Sequence, residues 1–70
     1  MYILIISNGK EAQQYIGMHG QDIYNRLSDE TDRETLAQMH TDIQTAPLIE
    51  GSCKEVEVTK GEKHYILSKY

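Results

Sequence analysis

The opening run Tyr2-Ile3-Leu4-Ile5-Ile6-Ser7 restricts the possible folds of this chain more than any other stretch. It is short, rich in isoleucine and stopped by Asn8-Gly9. Neither of its faces is polar, so it reads as a strand covered on both sides and needing hydrogen-bonding partners along two edges.

The stretch after Asn8-Gly9 has two readings. As a two-residue turn, Asn8-Gly9 would return the chain as a second strand from Lys10 to Ile16. Against this, Lys10-Glu11-Ala12-Gln13-Gln14 are helix formers and poor strand residues. Ala12, Tyr15, Ile16 and His19 also recur at helical spacing. The helical reading is adopted, giving an irregular helix over about 10–27 that breaks near Gly17-Gly20. Ile23 and Leu27 then share a face in its second piece. Thr31 with Glu34 has the spacing of a capping box. Leu36, Met39, His40 and Ile43 continue as an apolar stripe, so a second helix is expected over about 32–45, closed by Pro47. Leu48 and Ile49 are expected to cap the core, and Gly51-Ser52 to form a turn. Lys54–Thr59 alternates, with Val56 and Val58 on one face. Lys60-Gly61 is a turn candidate, and Lys63–Ser68 the last strand. That turn sets Val56 opposite Tyr65 and Val58 opposite Lys63.

The expectation is therefore a single α+β domain over residues 1–70, ordered β-α-α-β-β. It has a three-stranded antiparallel-type sheet of strands about 2–7, 54–59 and 63–68. The last two strands form a hairpin, so the first joins an outer edge beside the last. Its other edge, Tyr2, Ile3, Leu4, Ile5 and Ile6, would lie open without lysine or proline to blunt it. A chain of 70 residues has a small core, with roughly 60% of its unfolded surface buried. The single cysteine, Cys53, precludes an internal disulfide. Both points favour association, as a homodimer through the first strand or by strand addition to another protein.

Charge narrows the partner. The net charge of −4 is concentrated in residues 28–50, where six acids face Arg33 alone. Nucleic-acid binding, which needs clustered lysine and arginine, is disfavoured. The expected contact set is Asp29, Glu30, Asp32, Glu34 and Asp42, with Tyr24, presented to a basic protein surface. Size and charge are those of small inhibitors encoded by phages and mobile elements, nucleic-acid mimics and anti-CRISPR proteins among them. The expected role is thus a non-catalytic interaction module of that kind; the alternative is a small transcriptional regulator or nucleic-acid-binding accessory.

No catalytic residue, metal site or cofactor is expected. His19, His40, His64 and Cys53 fall in different elements and have no ligand-pair spacing. Ser7-Asn8-Gly9-Lys10 lacks the glycine spacing of a phosphate loop. The apolar run is too short for a membrane span, and no basic residue or cleavage site marks a signal peptide. A cytoplasmic location is expected, or the host cytoplasm for a phage-encoded chain.

Overall fold

The structure, a computed structural model, describes residues 1–49, 51 and 53–70. The elements run β1 (Tyr2–Ser7), β2 (Ala12–Gly17), α1 (Gly20–Tyr24), α2 (Glu30–Thr45), β3 (Lys54–Lys60) and β4 (Lys63–Lys69). They make one α+β domain whose antiparallel sheet has four strands, in the order β2-β1-β4-β3.

The helix expected from residue 10 is replaced by a strand. Asn8 and Gly9 open a loop in which the Asn8 side-chain oxygen accepts from the N–H groups of Lys10 and Glu11. Ser7 then pairs with Ala12, and the ladder runs on to Tyr2 opposite Gly17. Intrinsic helix propensity spans only about 0.7 kcal/mol per residue among ordinary residues, a weak preference that tertiary context overrides. Pairing with β1 satisfies a whole strand edge, and that outweighs local preference. Consequently β1 is bonded on both sides, to β2 and to β4. The edge of Tyr2, Ile3, Leu4, Ile5 and Ile6, expected to lie open, is closed within the chain, so it is not available to a second copy.

The helices fill one side of the sheet. Leu4, Ile6, Tyr65 and Leu67 meet Ile23, Leu27, Leu36, Met39 and Ile43 in a single buried cluster. The stripe read from the sequence is correct here: Leu36, Met39 and Ile43 are fully buried, and His40 is half-buried beside them. Cover on both faces of β1 is not what the fold provides. Ile3 and Ile5 point away from this cluster and are only half-buried.

Element ends also shift. The cap of α2 is Asp29 rather than Thr31: its carboxylate accepts from the Thr31 N–H at 2.8 Å, and the helix starts two residues earlier than expected. The helix ends at Thr45; Ala46 is extended, as the residue before a proline prefers. Leu48 and Ile49 do not cap the core; they are exposed by 61% and 47%. Of the turn expected at Gly51-Ser52, Ser52 lies outside the described residues.

The β3–β4 turn falls at Gly61-Glu62, with Lys60 paired to Lys63. Gly61 has φ +61, and among the described residues only glycines take a positive φ. That fits a type II′ hairpin with glycine at its first central position. Val56 therefore opposes Leu67 and Val58 opposes Tyr65. The register differs from expectation by two residues, an even step that leaves every side chain on its expected face.

Candidate interaction surface

The twelve side chains on the helix-free face of the sheet follow from the register. Three rows cross the strands from β2 to β3: Ile16, Ile3, Ser68, Glu55; then Gln14, Ile5, Ile66, Glu57; then Ala12, Ser7, His64, Thr59. Four isoleucines thus form a patch across β2, β1 and β4. Ile16 is 43% exposed, and Ile3, Ile5 and Ile66 are half-buried. The β3 border is acidic, through Glu55 and Glu57.

No lysine or arginine stands in these rows, because the strand lysines occupy the opposite parity. Lys54 donates to the Gln44 carbonyl at the end of α2. Lys63 lies 3.5 Å from Asp29 and 3.3 Å from Asp32. Lys69 sits over the Tyr2 ring, 5.6 Å from its centroid. Lys54, Lys63 and Lys69 are engaged on the helix side, and the open face is left apolar and negative.

At its acidic border the face carries an ordered polar group. The His64 Nε2 lies 2.6 Å from a Glu57 oxygen, and its Nδ1 lies 2.8 Å from the Thr59 hydroxyl. With Nε2–H donating to Glu57, Nδ1 accepts the Thr59 hydrogen. Hydroxyl, imidazole and carboxylate in series are also the parts of a hydrolase site. Here they are neighbours across the β3–β4 hairpin, and four surface hollows elsewhere are lined by other residues. The arrangement fixes the direction of Glu57.

The acids expected to form a contact surface are divided by the fold. Asp29 caps α2 and faces Lys63; the Thr31 N–H first, and then Lys63, hold its carboxyl below the ordinary range. Asp32 accepts from Lys63 and from the hydroxyl of buried Tyr65. The hydrogen bond to Asp32 raises the Lys63 ammonium; burial, and then Asp32, raises the Tyr65 phenol. This cluster fastens the first turn of α2 to β4. Glu30 and Glu34 remain exposed, as does Asp42, which accepts from Gln38. Tyr24 packs half-buried against the core, edge-on to His40. The one base of that acidic segment, Arg33, donates to the Leu27 carbonyl at 2.7 Å.

His40 is stacked on Tyr2 at 5.0 Å and covered by Gly20, where an added Cβ would overlap its ring. Burial, and then Lys69, keep this imidazole below its usual range. His19 is exposed at the start of α1, where its N–H donates to Asp22. Among the described residues, no three histidine, cysteine, aspartate or glutamate side chains converge. Among them too, no helix is long and apolar enough to cross a membrane.

Sequence reasoning misses Ile16, Ile66, Glu55 and Glu57 as members of one surface. The signal is present in the parity of the strands, since Ile3 and Ile5 share a face that Glu55 and Glu57 border. It becomes usable only once β2 is recognised as a strand. No family of known proteins, no curated protein and no solved structure matches this chain.

Proposed function

We propose that this chain is a non-catalytic interaction module whose open sheet face seats on a protein surface with an apolar centre and a lysine or arginine rim. The supporting observation is the four-isoleucine patch bordered by Glu55 and Glu57, with every strand lysine turned to the other side. Apolar contact supplies affinity, and a cationic rim opposite the glutamates supplies orientation and rate of encounter. The interaction role expected from charge is kept, and its centre moves from the acidic helix to the sheet. A small acidic inhibitor of the phage or mobile-element kind would use such a face to block a basic, partly apolar surface on its target. Glu30, Glu34 and Asp42, exposed along α2, give a second reading in which that helix makes the main contact.

Affinity capture should compare wild type with Ile5→Lys, Glu57→Lys and a Glu30→Lys/Glu34→Lys pair, each checked for fold by circular dichroism. One protein should be held by wild type and lost by the first two variants. With that protein purified, amide shifts should map to Ile3, Ile5 and Ile66. Binding that survives both sheet variants, or that fails only with the helix pair, overturns the proposal.

A further inference from the structure

The two outer strands of the sheet are built differently. β3 carries Lys54, Glu55, Glu57 and Lys60 along its seven residues, the charged composition by which proteins keep an edge from pairing. β2 is Ala-Gln-Gln-Tyr-Ile-Gly, with no charge and no proline, and it is exposed except at Tyr15 and Gly17. Alternate residues of an edge strand point N–H and C=O outward, so β2 presents an unprotected pairing edge.

The charges at its two ends indicate what pairs there. Lys10 and Glu11 precede the strand. Asp22 and Arg26 lie beyond its far end, around a shallow groove shared with Ile16 and Met18. Lys10, Glu11 and Arg26 make no ion pair among the described residues. Antiparallel pairing of two β2 strands brings the start of one beside the end of the other. Each junction then holds Lys10 and Glu11 against Asp22 and Arg26, one charge of each sign on both sides. The strands themselves put only uncharged residues opposite each other, and Met18, 69% exposed, gains an apolar neighbour.

We infer that β2 is a self-association edge: two copies pair their β2 strands antiparallel about a two-fold axis, making one eight-stranded sheet with a continuous open face. Six paired residues should bury less than the roughly 1,200–2,000 Å² of a stable specific interface, so a weak, reversible dimer is expected. Self-association at β2 is independent of the partner proposed for the open face.

Sedimentation from about 1 µM to about 1 mM should show a reversible monomer–dimer equilibrium. Gln14→Lys sets two like charges close to the axis and should weaken dimerisation at least about tenfold, with Glu30→Lys as a control that leaves it unchanged. Hydrogen exchange on the unaltered protein reads the same edge: alternate β2 amides should lose protection on dilution. A monomer throughout the range overturns the inference. So does a dimer indifferent to Gln14→Lys whose β2 amides exchange equally at both concentrations, or a β2 edge that pairs only with a foreign peptide.

Discussion

Replacing Tyr65 by phenylalanine tests the fastening between α2 and the sheet. The ring is 1% exposed and packs in the core, and its hydroxyl donates to Asp32. Phenylalanine keeps the ring and removes only that hydrogen bond. A hydrogen bond to a charged group contributes about 1.5–3 kcal/mol. Asp32 keeps Lys63 at 3.3 Å, so its carboxylate is not stranded and the lower half of that range, about 1.5–2 kcal/mol, is expected. Domains of this size have about 4–10 kcal/mol in total, so the loss is a sizeable fraction. It corresponds to a fall in Tm of about 6–16 °C. Urea unfolding followed by circular dichroism should show a lower midpoint at an unchanged slope. Alkaline titration gives a second reading. The raised Tyr65 phenol means that the native state holds this proton more tightly than the unfolded chain. Its contribution is complete below the unfolded pKa of about 10 and is lost as pH rises beyond it. The phenylalanine variant should lack that part of the alkaline decline. A change under about 0.5 kcal/mol, within the scatter of ordinary surface substitutions, would refute the fastening role.

The Gly20–His40 contact gives a second expectation. Gly20→Ala drives a Cβ into the His40 ring, forcing it off Tyr2 at about 1–3 kcal/mol. His40→Ala should recover most of that penalty in the double variant, and a Gly20→Ala protein as stable as wild type would disprove the packing. His40 also sets a pH dependence. Its pKa is lowered in the fold, so the unfolded chain takes up the proton first as pH falls through about 6.5. Stability should decline below that pH until the native imidazole also protonates, and His40→Gln should remove this component from denaturation midpoints measured between about pH 4 and 8.

Legibility in the amino-acid sequence depends on how local the deciding force is. The α2 stripe of Leu36, Met39 and Ile43 is legible because helical period and burial agree within one element. The β3–β4 hairpin is legible too, as is the place of β4 beside β1. Its register slips by two because Lys60-Gly61 and Gly61-Glu62 both offer a turn; the first, as a type I′ turn, would need a positive φ at Lys60, whereas the second asks it of Gly61 alone. β2 defeats a local reading because Glu11, Ala12 and Gln13 prefer helix, while the force that makes them a strand is the unfilled edge of β1. The acidic surface is misjudged for a similar reason. Charge counting treats Asp29, Asp32 and Glu34 alike, whereas the fold engages the first two with Thr31, Lys63 and Tyr65 and leaves Glu34 in water. The isoleucine patch depends on two strand registers at once, which no single stretch of sequence contains.

The central seam of the sheet, where β1 meets β4, joins the two extremes of the chain: Tyr2 pairs with Lys69, and Met1 and Tyr70 exchange backbone hydrogen bonds at 2.8 and 3.3 Å. The two hairpins on either side are local and can close within microseconds. Their union must bring together residues 57 to 67 positions apart, so it carries a greater loop-closure cost than either hairpin and is expected to be the slower step. Until that zipper shuts, one flank of Ile3–Ile6 stands bare in each half-built molecule. Crowding during refolding should then favour aggregation of this chain, beyond whatever pairing the β2 edge of the finished domain allows.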